Sequence, residues 1–506
     1  MRTKKALLNI ISNLILQVIT IIYGFVVPKI IIENFGSNVN GLVASITQFL
    51  AYIALLESGF GPVVKFVLYK SIAEKNNDKI KRILHTSEKF FRRIAYIFII
   101  YIVILCFLFP TFIKSDFDAF FTISLIVIIA ISTFAEYFFG MTYKLFLQAE
   151  QKTYVISFIQ TITYIVSLIF IVLLVKLGCS IQVIKLTSGI IFVLRPILQN
   201  FYVKKKYNIS FKEVKEKYEI KQKWDGLAQH IAAVIHGNTD ITILTIFSSL
   251  SDVSVYSVYY LVTKGLNSLI QSISNGVTSS FGDMIARKEK TNLNNKFKAY
   301  ELVYFSIITI LFSVSATLII PFVRIYTKNI TDANYINITF GLLMILCEFV
   351  NMIRLPYISL AYSAGHFKET MKGAWLEAGI NIIISILLVN KLGLIGVTIG
   401  TFISTLIRAI EFVYHSSKHI LNRSLWISIK RIFTASIEFL IMYFICSKTI
   451  ENYSIENFMD FIIVGVICVF VSGLFVLLIN ILTSFSDFKI IFNTLKKVFT
   501  SKSNNK

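Results

Sequence analysis

One apolar stretch of the sequence, residues 253–282, carries a regular row of aromatic and polar residues. The row recurs at steps of three or four residues, which places its members on one face of a helix. Aromatic rings suit sugars, and an ammonium group near the middle of the stretch suits a phosphate. The row therefore predicts a binding surface, and the alternative is a seam of hydrogen bonds between helices. Its members are Tyr256, Tyr260, Lys264, Asn267, Gln271 and Asn275.

A second polar row lies in the first apolar stretch, residues 7–32. Asn9, Asn13, Gln17 and Thr20 share one helical face, because they also recur at steps of three or four. This face either lines a cavity, with Asn13 and Gln17 binding substrate, or packs against another helix. The spacing alone leaves both interpretations open.

Ionisable residues inside apolar stretches are further candidates, because a charge at the centre of a bilayer costs at least about 2.5–3.5 kcal/mol. We predict that Lys65 and Arg354 join Lys264 in binding an anionic substrate. Arg408 lies three residues before Glu411, and the two are predicted to neutralise each other. Arg195 and Arg408 lie near the ends of their stretches and are predicted to extend toward water. The candidates without an assigned role are Glu136, Glu348 and Glu377.

Asp240 follows His236 by four residues, so the two side chains share a helical face. A carboxylate can bind a proton or a sodium ion, so Asp240 is predicted to couple the movement of such an ion to transport. Glu57 is a second candidate for this coupling role. In the two alternatives, Asp240 is a counter-ion for Lys264, or Asp240 and His236 form a fixed buried pair.

Metal chemistry is not predicted. His415 and His419 have a spacing that can bind a divalent metal, but the sequence offers no third ligand beside them. The five cysteines are scattered and form no C-x-x-C pair, so they support neither a zinc site nor a disulfide framework. No cofactor is therefore expected, apart from a coupling proton or sodium ion.

The elements that position these residues are membrane-spanning helices. Hydrophobic residues make up 56% of the 506 positions, charged residues only 15%, and the mean hydropathy is +0.72. This composition predicts an all-α polytopic membrane protein with about 14 transmembrane helices. The predicted spans 1 to 14 are residues 7–32, 41–67, 90–112, 119–143, 153–175, 181–203, 226–249, 253–282, 300–323, 335–362, 372–389, 393–414, 427–447 and 459–482. The long second and eighth spans have room for a break.

The net charge of +22 follows the alternation expected of such spans. With a cytoplasmic N-terminus, the inner segments hold 37 Lys and Arg residues and the outer loops hold 6. The chain is therefore predicted to lie in the cytoplasmic membrane with both termini inside. This placement argues against nucleic acid as a partner, and the absence of a G-x-x-x-x-G-K-[ST] loop argues against an ATP-driven pump.

An internal repeat appears at an offset near 213 residues. The sequence LLVKLG at 173–178 recurs as LLVNKLG at 387–393, and Arg195 corresponds to Arg408. An offset of six spans indicates a parallel repeat. We predict two six-helix lobes, 1–205 and 224–420, a basic linker at 206–223, and two additional helices with a basic tail in 421–506.

Three segments, residues 34–42, 55–61 and 237–240 ahead of Val255, resemble the polysaccharide flippases. These proteins export O-antigen, capsule or teichoic-acid repeat units and belong to the multidrug/oligosaccharidyl-lipid/polysaccharide (MOP) superfamily. The resemblance implies a V-shaped, two-lobed, MATE-like fold with a cavity lined by spans 1, 2, 7 and 8. It also implies transport of undecaprenyl-diphosphate-linked oligosaccharides from the inner to the outer leaflet of the membrane. The partners that it implies are membrane lipids and a polysaccharide polymerase or ligase.

The preferred function is thus a lipid-linked oligosaccharide flippase, a transporter and not an enzyme. A cation-coupled multidrug exporter of the same superfamily is the first alternative, although its cavity would need many acidic and aromatic residues. A membrane-embedded polymerase or acyltransferase is the second. Such enzymes usually need a sizeable outer loop or a mid-membrane histidine with a partner, and the longest outer loop here has about a dozen residues.

Overall fold

A computed structural model describes residues 2–57, 59–113, 117–207, 218, 227–451 and 453–485. These residues form helices and connecting turns, with no strand among them. The α-helices are α1 (Arg2–Phe35), α2 (Ser37–Ala51), α3 (Ala54–Glu57), α4 (Phe60–Ala73), α5 (Asn77–Phe112), α6 (Ala119–Ala135), α7 (Met141–Ala149), α8 (Thr153–Lys176), α9 (Ile181–Tyr207), α10 (Leu227–Phe247), α11 (Leu250–Ala286), α12 (Lys290–Tyr326), α13 (Ile338–Ser363), α14 (Met371–His415), α15 (Leu425–Ile450) and α16 (Phe458–Thr483). Two π-helical turns, Glu136–Gly140 and Ser416–Ile420, lie between α6 and α7 and after α14.

The predicted all-α, multi-pass membrane fold is confirmed. Within the described residues, ten helical stretches are long and apolar enough to cross a membrane. One of them, Met371–Ile420, contains predicted spans 11 and 12, which meet where the chain bends at Gly393. The helices α10, α11 and α15 are not among these ten stretches. Large apolar side chains cover the outside of the helices, as at Phe120, which is 78% exposed.

The second predicted span is broken in its middle. Helix α2 ends at Ala51, α3 is a single turn, and α4 begins at Phe60. Irregular backbone at membrane depth is tolerated only where protein buries it or where it lines a wet cavity. The break is therefore a place to look for a cavity. The eighth span contains no such break, since α11 is continuous over its whole length.

The chain packs as two compact units, which are described separately. The first unit comprises Met1–Ser257 and Asn329–Ala333. In it α1 packs on α8, α8 on α9, α9 on α6, and α10 on α2. Hydrogen bonds to α10 join Ser45 of α2 to Thr245 (2.7 Å) and Tyr52, directly after α2, to Thr242 (2.9 Å). The apolar core includes Leu42, Val64, Leu84, Phe98, Leu125 and Phe146.

The second unit comprises Val258–Lys328 and Asn334–Lys506. Its centre is α12, against which α13, α15 and α16 pack. The two additional helices predicted from the sequence, α15 and α16, thus attach to α12 through a small apolar cluster. The cluster includes Val314, Leu318, Met442, Cys446, Val464 and Cys468.

Local structure repeats where the sequence does. Gly178 and Gly393 both follow a leucine and both have positive φ angles, +70° and +52°. Lys206 Nζ donates to the Tyr202 hydroxyl (3.0 Å), and Lys418 Nζ donates to the Tyr414 hydroxyl (2.9 Å). The lobe boundaries and the topology of the termini remain predictions. Most of the predicted linker, 206–223, lies outside the described residues.

Candidate functional site

A cavity of about 620 Å³, with charged side chains in a largely apolar wall, lies within the first unit beside the broken second span; it is called the polar cavity below. The break supplies Ala51, Ile53 and Ala54 to its wall, and the other walls come from α1, α2, α6, α7, α8, α9 and the first π turn. Four charged side chains line it. Three are cationic and one is anionic: Lys144, Lys185, Arg195 and Glu136.

Arg195 is held rigidly at the cavity wall. Its Nε donates to Thr163 Oγ1 at 2.6 Å. Its guanidinium carbon lies 4.1 Å from the centre of the Tyr164 ring and 3.9 Å from that of Phe192. The Nη2 atom is buried and has no hydrogen-bond partner within the described residues. A fixed guanidinium with a spare donor is suited to an anionic oxygen, since planar guanidinium groups bind phosphates through paired N–H groups.

Arg195 is half-buried and lines the cavity, so its predicted extension toward water stays a prediction. Close packing of α9 against the π turn holds the residue in place. A Cβ atom on Gly140 would lie 2.4 Å from the Cβ of Pro196, so only glycine permits this approach. The sequence places Pro196 next to Arg195. It does not reveal that Pro196 contacts Gly140, which is 56 positions away.

An acidic group adjoins the cations. Glu136 begins the π turn and its Oε1 lies 2.9 Å from Lys144 Nζ. Glu57, on the broken segment, hydrogen-bonds with Tyr137. The Glu57 Oε2 atom is buried and has no hydrogen-bond partner in the described part of the chain. π turns occur frequently at functional sites. The predicted coupling role of Glu57 stays a prediction, but the structure places it next to this lysine–glutamate pair.

The other predicted coupling residues lie on α10. Asp240 is buried, and its Oδ2 accepts a hydrogen bond from the Tyr256 hydroxyl at 2.9 Å. His236 lies one turn earlier and is half-buried. Tyr256 was predicted to contact a sugar, yet its ring is only 6% exposed and its hydroxyl is bound to Asp240. This geometry favours a positioning role for Tyr256.

The rest of the α11 row belongs to the second unit. Lys264 is exposed, and its Nζ lies 5.8 Å from the centre of the Tyr260 ring. Gln271 is exposed as well, whereas Asn267 donates to Glu348 Oε2 at 2.8 Å. The Asn275 side chain lies outside the described residues. Lys264, Tyr260 and Gln271 are thus the members of the row whose positions fit an exposed surface.

A chain of buried charges runs through the second unit. Glu348 accepts from Asn351 (2.9 Å), and Asn351 Oδ1 accepts from Arg354 Nε (2.9 Å). Arg354 then pairs with Glu377, whose other oxygen lies 3.5 Å from Arg408 Nε. Sequence analysis missed that Asn351, three residues from both Glu348 and Arg354, connects the two. The charge of Arg354 is therefore balanced inside the unit.

Arg408 ends this chain of charges. Its guanidinium pairs with Glu411 and donates to the Thr370 carbonyl oxygen at 2.8 Å. The predicted pairing with Glu411 is confirmed. The predicted extension toward water is wrong, because the residue is 2% exposed. The carboxylates of Glu377 and Glu411, both on α14, offset the cost of keeping the charge inside.

We expect Glu377→Gln to destabilise the protein strongly, because it leaves Arg354 and Arg408 without their shared counter-charge. Breaking a buried ion pair by removing one partner costs about 3–5 kcal/mol. The thermal unfolding temperature of the purified protein should fall by several degrees. The matched control is Glu411→Gln, whose side chain is 31% exposed against 10% for Glu377. Equal losses in the two variants would contradict the bridging role.

The first polar row contacts the start of α8. Asn9 Nδ2 donates to the Gln151 carbonyl oxygen (3.0 Å), and Asn13 Oδ1 accepts from Ser157 Oγ (2.5 Å). These bonds favour the helix–helix seam for Asn9 and Asn13. Gln17 is half-buried on α1, and Lys65 is half-buried on α4.

The histidine pair gains a neighbour from elsewhere in the sequence. His366 Nδ1 lies 2.9 Å from His415 Nε2, and the ring centres of His415 and His419 are 5.0 Å apart. The described residues contain no group of three or more side chains arranged to hold a metal ion.

No protein-family model and no curated protein matches the sequence. Solved structures do match. The lipid II flippase MurJ, in an inward closed conformation, gives a TM-score of 0.66 at 15% identity, over 92% of this chain and 98% of that chain. A MATE transporter of Vibrio cholerae, VcmN, gives 0.57 at 15% identity, over 84% and 99%.

A MOP superfamily transporter from Pyrococcus furiosus, described as having a binding pocket of reversed polarity, gives a TM-score of 0.56 at 13% identity, over 83% of this chain and 97% of that chain. At such identities the likeness shows the fold alone. The chain therefore has the MATE-like fold that these transporters and flippases share.

Proposed function

We propose that the protein is a flippase that moves a lipid-linked oligosaccharide carrying a diphosphate, such as an undecaprenyl-diphosphate-linked repeat unit, across the cytoplasmic membrane. One observation carries the proposal: the cavity of the first unit is lined by three cations and one carboxylate, and its Arg195 has an unused buried donor. Flipping needs no covalent chemistry. The barrier is the transfer of charged phosphates and a hydrated glycan through hydrocarbon.

Each part of the cavity has a role in this proposal. Arg195 binds a phosphate oxygen through its spare N–H group, and Lys185 adds a second positive charge. An arriving diphosphate competes with Glu136 for Lys144. Glu57, beside this pair, then takes up or releases the coupling proton as the local charge changes. The polyprenyl tail remains in lipid throughout.

The charges that line the cavity also distinguish a flippase from the alternative function, a multidrug exporter. An exporter of organic cations needs an unpaired carboxylate in its cavity, whereas Glu136, the carboxylate in this lining, is paired with Lys144 at 2.9 Å. The aromatic rings of Tyr164 and Phe192 are occupied by the Arg195 guanidinium. We further propose that both termini are cytoplasmic and that the protein acts beside a polysaccharide polymerase or ligase.

The test is reconstitution of the full chain in proteoliposomes with a fluorescent undecaprenyl-diphosphate oligosaccharide. Its transfer between leaflets is followed by a quencher that cannot cross the membrane, and ethidium transport is measured in parallel. We expect faster glycolipid transfer than in protein-free liposomes and no ethidium transport. Ethidium transport without glycolipid transfer would replace the proposal with the multidrug exporter.

A further inference from the structure

A long apolar groove runs along the outside of the first unit, separate from the polar cavity. It has a volume of about 930 Å³ and lies between α1, α8 and α9. Its wall residues are open to the surroundings, as shown by Phe158, which is 64% exposed. They include Leu8, Ile11, Ile15, Phe158, Ile162 and Leu198.

The groove has a cationic end. Lys205 and Lys206, in the last turn of α9, line it together with Tyr154 and Tyr202. Lys205 Nζ lies 5.7 Å from the centre of the Phe201 ring, and Lys206 Nζ donates to the Tyr202 hydroxyl at 3.0 Å. Within the part of the chain that the structure describes, both ammonium groups thus face aromatic rings and not carboxylates.

Neighbouring lysines strengthen the positive charge at this end. Glu150 is the nearby carboxylate, but Lys152 Nζ lies 3.6 Å from its Oε2, and Tyr207 donates to the same oxygen at 3.1 Å. Burial, together with the ammonium groups of Lys206 and Lys5, lowers the pKa of Lys152, although Glu150 opposes this. Among the described residues at this end of the groove, the lysines therefore outnumber the one carboxylate, Glu150.

The length of the groove suits one fatty-acyl chain. Along α8 it extends from Tyr154 to Thr163, a rise of nine residue steps, which at 1.5 Å per step is about 13.5 Å. Such a length holds roughly ten methylene groups of a glycerophospholipid chain. It holds only a small part of a long polyprenyl chain.

We infer that this groove is a binding site for an anionic glycerophospholipid of the surrounding membrane, with one acyl chain along α1, α8 and α9 and the phosphate at Lys205 and Lys206. Basic pockets between helices at the cytoplasmic side of a membrane bind anionic headgroups in this way. The inference does not depend on the proposed function, since it concerns a resident lipid and not the cargo.

The experiment is native mass spectrometry of the full chain in detergent, titrated separately with phosphatidylglycerol, phosphatidylcholine and undecaprenyl diphosphate. We expect phosphatidylglycerol to bind more tightly than phosphatidylcholine. The double variant Lys205→Ala with Lys206→Ala should lose about tenfold or more of the phosphatidylglycerol affinity, since each lysine near a charged headgroup contributes a severalfold factor. Phosphatidylcholine binding should be unchanged.

A matched control exists in the same chain. Lys418 makes the same contact with Tyr414 at 2.9 Å but takes no part in the groove. Lys418→Ala should therefore bind phosphatidylglycerol like the parent. Ile162→Trp, which fills the groove without changing the charge, should weaken both phospholipids. Thermal unfolding of every variant checks that the fold is retained.

Three results would overturn the inference. They are equal binding of the two phospholipids by the parent, equal losses in the Lys418 and Lys205/Lys206 variants, and tighter lysine-dependent binding of undecaprenyl diphosphate than of phosphatidylglycerol. The last result would assign the groove to the cargo lipid.

Discussion

Arg195→Ala is expected to reduce export of the lipid-linked glycan at least tenfold while the protein still accumulates in the membrane. The variant removes a cavity cation whose buried Nη2 donor has no hydrogen-bond partner among the described residues. A hydrogen bond to a charged group contributes about 1.5–3 kcal/mol, which corresponds to a factor of roughly 10 to 150. The measurement is glycolipid transfer in proteoliposomes, normalised to reconstituted protein.

Two further variants define the role of the guanidinium. Arg195→Lys should retain partial transfer, because the charge remains while the paired N–H groups and the stacking on Tyr164 and Phe192 are lost. Lys176→Ala, an exposed lysine at the end of α8 outside the cavity, is the control and should transfer like the parent. Parental transfer by Arg195→Ala would exclude this cavity from the path of the anion.

Lys264→Ala is expected to abolish export in cells while insertion and accumulation persist. Lys264 is exposed in the middle of α11, and its ammonium faces the Tyr260 ring. A cation at such a depth costs at least about 2.5–3.5 kcal/mol, so a ligand or a partner must offset the cost. Surface glycan, measured with protein level controlled, reports the effect. Lys264→Arg should keep part of the activity because the positive charge remains.

A double variant separates a substrate role from a counter-ion role. If Lys264 served only to neutralise Asp240, combining Lys264→Ala with Asp240→Asn would restore export, since no unpaired charge would remain. We expect no restoration, because Asp240 already accepts a hydrogen bond from Tyr256. Lys430→Ala, at an exposed position on α15, is the control. Full export by Lys264→Ala would remove this residue from the site.

Sequence patterns predicted which side chains share one face of a helix better than they predicted which side chains meet at a site. The row on α11 has the expected helical spacing, and that helix is continuous. Yet Tyr256 turns out to hold Asp240, while Asn267 binds Glu348. Helical periodicity fixes which residues share a face, but it does not specify which neighbouring helix that face meets.

The two repeat-related arginines illustrate the same limit. Arg195 and Arg408 occupy corresponding positions in the repeat, and the sequence predicts the same behaviour for both. Arg195 lines a cavity with a spare donor, whereas Arg408 is enclosed by Glu377 and Glu411. Arg195 contacts Thr163 and Tyr164 on α8, and Arg408 contacts Glu377 in the first part of α14. The local sequence specifies neither of these contacts, although it does place Glu411 three residues after Arg408.

The sequence by itself determined the solvent and the secondary structure of this protein. Apolar stretches of about 20 residues can satisfy their backbone groups in lipid only as helices, so composition and spacing suffice for an all-α membrane fold. Only the tertiary structure decided that the second span breaks beside a cavity, that Gly140 admits Pro196, and that Arg195 keeps a free donor there. These features arise from contacts between residues far apart in the chain, whose pairing depends on how whole helices pack and not on local spacing.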